Sequence, residues 1–282
     1  IYIDKNNLNW DSQYYWRVRP ILNDDLESWI DTNLFFIKKP LFNDTGEIYI
    51  THSTIVNDDL IAYGDTYRKK TIIFDRNGRE VWNDSEKQFV VYHVDEFGVF
   101  YGRDYPSGSF SSFNLNHDIL WESPLGYNLN YHDFRQLPNE NYIGLAKESR
   151  LGPIPIGDWS TSFQNLGYEA DGITNEFEWL GYKIIEWDKE TKEEIWTWDV
   201  FDYFSMNDYD IDGNTWNIAL NANYYDWTHA NSIHFDKELN FIFISNRTLS
   251  RITKIDYHTG EIIWNMGLSE DYNTGSNNIC TN

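Results

Sequence analysis

"ITKIDYHTGEIIW" occupies residues 252–264, and its form occurs three times earlier in the chain. An alternating apolar stretch runs into a polar turn, and a second stretch closes on Trp264. Its counterparts are "TIIFDRNGREVW" (71–82), "FSSFNLNHDILW" (110–121) and "KIIEWDKETKEEIW" (183–196). In each, a turn residue stands four positions before the tryptophan: Gly78, His117, Lys192 and Gly260. Asp-x-x-Gly and Asp-x-x-x-Gly suit hairpin turns, because glycine takes a positive φ without steric cost. The period of two on either side is that of strands.

Working outward, each hairpin is preceded by a further strand, polar turn and strand. These are "EIYITHSTIVNDDLIAYGD", "QFVVYHVDEFGVFYGRD", "NYHDFRQLPNENYIGLAKE" and "THANSIHFDKELNFIFISNR". The unit is therefore four antiparallel strands. Tryptophans 82, 121, 196 and 264 are spaced by 39, 75 and 68 residues. Setting aside two insertions, at 149–181 and 199–224, brings the longer intervals into line with the first. Four-stranded units repeating at about 40–45 residues indicate an all-β chain folded as a β-propeller. Four blades are expected over 33–282, with the closing tryptophans packed between neighbours. Residues 1–32 fit no blade and are assigned to an N-terminal segment, part of an earlier blade or of another domain. "FDYFSMNDYDIDGNTWNIALNAN" (201–223) reads as a short helix or, from its Gly and Asn content, a loop.

With 41% hydrophobic and 18% aromatic residues the chain has the composition of a folded domain. A net charge of −23 speaks against a nucleic-acid surface, which needs clustered Lys and Arg. It leaves open a small anionic ligand, because a few well-placed cations dominate a local field. No apolar run reaches the roughly 18 residues that span a bilayer. Cys280 is the one cysteine, so no internal disulfide framework or cysteine-based zinc site is expected. The first residue is Ile1 rather than Met, from which a removed or missing preceding segment is expected.

In a propeller the first strand of each blade lines the central channel, and the starts of these strands meet at one mouth. His132 opens the first strand of the third unit, and His229 that of the fourth. His52 holds a similar place in the first. The expectation is that His132 and His229 converge there, whereas His52, His93, His117, His234 and His258 read as structural. Arg247 ends the second strand of the fourth unit, beside the start of its antiparallel partner, where a guanidinium fork suits an oxyanion. The competing reading for Arg247 is a surface residue paired with one of the 45 carboxylates. Asn231, two residues beyond His229, is expected on the same face. Tyr131, Tyr224, Tyr225 and Trp227 are candidates to stack on an aromatic ligand.

"HDFRQLPNENYIGLA" from His132, "DWTHANSIHFDKELNFIFISNR" through His229 and Arg247, and "SRITKIDYHTGEIIWNMG" after it resemble the bacterial arylsulfotransferases, which use a six-bladed propeller. The resemblance covers about 70–267 and is most specific at 226–267. It implies transfer of a sulfuryl group from a phenolic sulfate ester to a phenolic acceptor, with no nucleotide donor and no cofactor. Carried over by motif, His132, His229 and Arg247 become catalytic, with Asn231, Tyr131 and Trp227 against the substrate and no metal. The family's nucleophilic histidine lies on a later blade, and no residue here matches it. About four of six blades are thus expected in this chain, with the C-terminal blades missing. The resemblance further implies a periplasmic or secreted location. The incomplete ring leaves room for a homo-oligomer.

Two other readings stand beside this one. A non-catalytic propeller would bind a protein or glycan at its mouth. A quinone-dependent dehydrogenase would share closing tryptophans but needs a calcium site, and no carboxylate cluster at strand starts suggests one. Metal binding by His132 and His229 lacks a third evident ligand.

Overall fold

The computed structural model describes residues 12–17, 21–22, 25–26, 32–37, 60–76, 78–84, 87–211 and 214–267. Two compact units emerge: residues 1–91 with 104–106, and residues 92–103 with 107–282. In the first, Ser12–Trp16 (β1) pairs antiparallel with Asn33–Ile37 (β4), and Ile21–Leu22 (β2) with Asp25–Leu26 (β3). Ile61–Asp65 (β5), Lys70–Phe74 (β6) and Glu80–Asn83 (β7) form an antiparallel meander. The strand expected before β5, with His52, lies outside the described residues.

Three further meanders follow in chain order. The second blade holds Phe89–Val94 (β8), Phe100–Asp104 (β9), Phe110–Phe113 (β10) and Ile119–Glu122 (β11). The third holds Leu129–Gln136 (β12), Tyr142–Pro153 (β13), Asn175–Trp187 (β14) and Glu194–Asp199 (β15). The helices Ser160–Gln164 (α1), Val200–Tyr203 (α2) and Thr215–Ala222 (α3) precede a two-residue strand, Tyr225–Asp226 (β16), which pairs parallel with β14. The fourth blade is Ala230–Asp236 (β17), Phe241–Asn246 (β18), Arg251–Asp256 (β19) and Ile262–Gly267 (β20). The all-β, propeller-type reading of the repeat holds, with every described blade an antiparallel meander.

The hairpins explain why the repeat was visible. Asp188 and Asp256 each accept two backbone N–H groups of their own turn through Oδ1, at 2.8–2.9 Å. Asn114 does the same for Asn116 and Asp118. The residue four positions before each tryptophan takes a positive φ whether or not it is glycine: Gly78 76°, His117 68°, Lys192 60° and Gly260 73°. The strand register also shifts just before the tryptophan in each hairpin, between pairs Ile73↔Trp82 and Phe74↔Glu80 and at the equivalent sites of the others. An extra residue there bends the outer strand and re-aims the indole.

Inside the second unit, adjacent blades pack through two cores. Between the second and third, Phe110 stacks on Phe134 at 4.7 Å, and Trp121 on Tyr142 at 4.0 Å. Gly144 allows this approach, since a Cβ there would sit 2.6 Å from the Phe110 ring. The Trp121 indole donates to the Lys189 carbonyl, in the outer turn of the next blade, at 2.9 Å. The same tie recurs one blade on, but from Trp198, which donates to the Gly260 carbonyl at 2.9 Å. Trp196, the expected closing residue, is half-buried against Tyr257 at 5.5 Å. In the longer β15, Trp196 and Trp198 share a face, and the further one reaches the interior.

Both insertions acquire structure. The 149–181 segment mostly lengthens β13 and β14 to 12 and 13 residues, paired from Tyr142↔Trp187 to Pro153↔Asn175. In 201–223, asparagine bounds the helix instead of preventing it. Asn214 and Asn223 flank α3 at φ 58° and 62°, the left-handed conformation that asparagine tolerates.

Glu186, fully buried, ties the third blade to the fourth. Its carboxylate accepts from Asn139 and Asn141 at 2.9 Å each and from the Tyr257 hydroxyl at 2.6 Å. Removing it takes the shared acceptor from three partly buried or exposed donors and leaves a gap where Glu186 was fully buried. Glu186→Ala is expected to destabilise the chain by about 3 kcal/mol and Glu186→Gln by roughly half that, because the amide retains one acceptor. Urea midpoints measure this, and a loss below about 0.5 kcal/mol for alanine refutes the role.

Candidate functional site

The first strands of the third and fourth blades lie side by side without pairing as a sheet. Side chains from β12 satisfy the neighbouring backbone instead. The Asn130 amide donates to the Ala230 carbonyl at 3.1 Å, and Asp133 accepts the Ile233 N–H at 2.8 Å. Asn130 also accepts the His132 N–H at 3.1 Å, and Arg135 grips both Asp133 oxygens at 2.9–3.0 Å. Both strands lose regular register at this end, between Leu129 and Phe134 in β12 and between Ala230 and Ser232 in β17.

These irregular ends bring His132 and His229 together, with ring centroids 5.4 Å apart. His229 precedes β17 at φ 46°, a conformation costing a non-glycine residue on the order of 1 kcal/mol. Its carbonyl accepts the Arg247 N–H at 3.1 Å, so the two residues are backbone neighbours. Its Nδ1 contacts Asp226 Oδ2, and Tyr182 donates to the other Asp226 oxygen at 3.4 Å. Burial, with the charges of His229 and Arg247, holds His132 below the usual imidazole range. Burial and the Asp226 carboxylate push the Tyr182 phenol up, so it remains a donor.

Arg247 is exposed, and among the described residues its guanidinium has no hydrogen bond or ion pair. Arg68, Arg79, Arg135, Arg150 and Arg251 all hold an aspartate. Asn231, Asn246, Arg247 and Arg251 line a recess of about 420 Å³ at this end of the fourth blade. The expected shared face of His229 and Asn231 does not follow from strand alternation, because His229 lies before the strand and Asn231 falls at its register shift. The structure groups Asn231 with Arg247 instead. Tyr131 is 40% exposed, 4.9 Å from the His132 ring, with the Lys147 ammonium 5.9 Å from its own ring centre.

Trp227 is a correction. It is fully buried, its indole donates to the Asp208 carbonyl at 2.6 Å, and its ring packs on Trp179 and Phe201. No face of it is open to a ligand, and Tyr225 is equally enclosed. Both anchor the segment that carries Asp226. Of the other histidines, His93 packs 5.8 Å from Tyr101, His117 and His258 occupy outer turns, and His234 lies beside Phe243.

Sequence reasoning missed Asp226, Tyr182 and Asn246. Asn246 is 1% exposed with neither side-chain atom hydrogen-bonded, and it borders the recess. The signal for Asp226 was in view, three residues before His229 in "DWTH". No group of three or more His, Cys, Asp or Glu among the described residues is placed to hold a metal ion. No described helix is long and apolar enough to cross a membrane.

Since His132 titrates below 6.5 in the folded chain, the folded state binds fewer protons than the unfolded state in the window beneath that value. This contribution to stability is present above pH 6.5 and is lost as pH falls through the folded value. His132→Gln is therefore expected to flatten the loss of stability between pH 7 and 5, measured by urea midpoints. Parallel pH profiles for the two proteins contradict it.

Residues 167–280 match the family model described as Arylsulfotransferase (ASST). Among solved structures, a protein of unknown function from Bacteroides caccae shares 12% identity, covering 74% of this chain and 58% of its own, at a TM-score of 0.41. BamB from Moraxella catarrhalis shares 12% identity over 75% of this chain and 50% of its own, at a TM-score of 0.36. The chain thus spans between half and three fifths of the length of these two structures. Comparison with curated proteins finds no match.

Proposed function

We propose that this chain, with an arylsulfotransferase domain matched at 167–280, serves sulfuryl transfer from a phenolic sulfate ester to a phenolic acceptor. The observation that carries the reading is the pair His132 and His229, 5.4 Å apart, beside an arginine that no described carboxylate neutralises. In a chain of net charge −23, an unpaired guanidinium next to two imidazoles is suited to an oxyanion.

The reaction requires little covalent chemistry from these residues. By analogy with phosphoryl transfer, sulfuryl transfer has a loose transition state with charge on the equatorial and leaving oxygens. The bond from sulfur to the donor phenol's oxygen breaks as a bond from sulfur to a nucleophile forms. The departing phenolate takes one proton, and the acceptor phenol later gives one up, so the exchange balances without a cofactor. Arg247 and Asn231 stabilise the sulfuryl oxygens, while His132 or His229 supplies the proton. Tyr131 offers a partly exposed ring to the aryl group. In this proposal the nucleophile is a histidine not among the described residues, residues 33–282 form the blades, and the protein works in the periplasm or outside the cell.

The test is the rate of transfer from 4-nitrophenyl sulfate to phenol, with variants compared at equal folded concentration. Arg247→Lys keeps the charge but not the two-pronged geometry, and is expected to lose about 100-fold or more, as is His229→Ala. His258→Ala, in an outer turn, is expected to stay within about twofold of wild type, the level of an exposed residue outside the site. Equal losses for all three refute the site. Binding of phenyl sulfate that depends on Arg247, without turnover, favours a binding module.

A further inference from the structure

We infer that Asp226 is a positioning residue for His229, fixing the ring as the Nδ1–H tautomer and keeping Nε2 as its free nitrogen at the mouth. The inference rests on the sulfuryl-transfer reading for its catalytic consequence, but the positioning itself is a property of the fold.

The geometry is built up from the backbone. β16 pairs parallel with the edge of β14, matching Trp179 with Tyr225 and Leu180 with Asp226, and the Trp227 N–H donates to the Leu180 carbonyl at 3.0 Å. Buried Tyr225 and Trp227 flank Asp226 on either side, so its backbone is held in a dry core while its side chain reaches the site. A carboxylate can only accept. Its contact with Nδ1 therefore places the proton on Nδ1 of the neutral ring. Among the described residues Nε2 makes no hydrogen bond. Tyr182 donates to the second carboxylate oxygen, and its ring stands edge-on to His229 at 6.3 Å, bracing both groups. The left-handed φ of His229 fits this arrangement, because it bends the chain to bring residues 226 and 229 face to face. A ring fixed in this way can take the acceptor phenol's proton at Nε2 and, once protonated there, return it to a leaving phenolate, in both cases without first reorienting.

Two measurements on the full chain test this. In ¹⁵N-labelled protein at a pH where His229 is neutral, the imidazole resonances are expected to report the Nδ1–H tautomer. Asp226→Ala is expected to move the ring toward Nε2–H, whereas Asp226→Asn retains an acceptor oxygen and much of the wild-type signature. An Nε2–H ring in wild type, or no change in Asp226→Ala, overturns the inference even if sulfuryl transfer is observed. The second readout is kinetic: Asp226→Ala is expected to lower kcat about 30-fold or more with KM for 4-nitrophenyl sulfate within about threefold, and Asp226→Asn is expected to fall between. A change confined to KM overturns the positioning role. A chain with the expected tautomer shift but no transfer upholds the positioning and refutes the sulfuryl-transfer reading instead. Should Asp226→Ala fail to fold, the wild-type tautomer and the Asp226→Asn kinetics decide the matter.

Discussion

The inner strands β12 and β17 are edge strands, and each exposes a row of backbone donors and acceptors toward its neighbour. Unsatisfied and buried, each such group costs about 1–3 kcal/mol. Asn130 and Asp133 remove part of that cost by bonding the backbone of residues 230 and 233 from the next blade. These two side chains therefore set how one blade stands against the next. The placement of His132 follows, because its own N–H is bonded to the same Asn130 side chain that holds Ala230. A histidine on one strand and a histidine before the other, 97 positions later, then meet with their ring centroids 5.4 Å apart.

The outer edge is secured by different chemistry with the same logic. Trp121 and Trp198 each donate an indole N–H to a carbonyl in the outer turn of the following blade. Glu186 gathers two asparagines and Tyr257 around one buried carboxylate. Between these polar fixings lie aromatic stacks with little room for rearrangement, as Gly144 under Phe110 illustrates. The blades are thus tied at their first strands by amide and carboxylate groups, and at the outer turns by indoles. The middle is filled by rings.

The charge pattern sets the mouth apart from the rest of the chain. Arg251, close to Arg247 in sequence, is buried, paired with Asp208 and laid over Phe204. It neutralises Asp208 of the inserted segment. Arg247 is left outside that arrangement, next to imidazoles whose nearest carboxylate, Asp226, is engaged with His229 and Tyr182. Burial together with this local positive field keeps His132 neutral more readily than a free imidazole. Among the described residues no carboxylate neutralises the Arg247 guanidinium.

The sequence by itself determined the blade repeat, because the features that define it are local. Asx turns, a positive φ four residues before the tryptophan and alternation of period two all act within about a dozen residues, and they recur at 71–82, 110–121, 183–196 and 252–264. Motif spacing also offered His132, His229 and Arg247 as candidates. What only the tertiary structure decided lies where alternation fails or where the partner is distant in sequence. Asn231 falls at a register shift where alternation no longer relates it to His229, and Trp227 is drawn into the core by a two-residue parallel strand against β14. The preference of Trp198 over Trp196 for the inter-blade tie depends on the length of β15. Asp226 and Tyr182, 44 residues apart, become partners only when β16 docks on β14. Local chemistry writes the turns and strands, whereas the environment of His229 is assembled from segments that meet only in the folded chain.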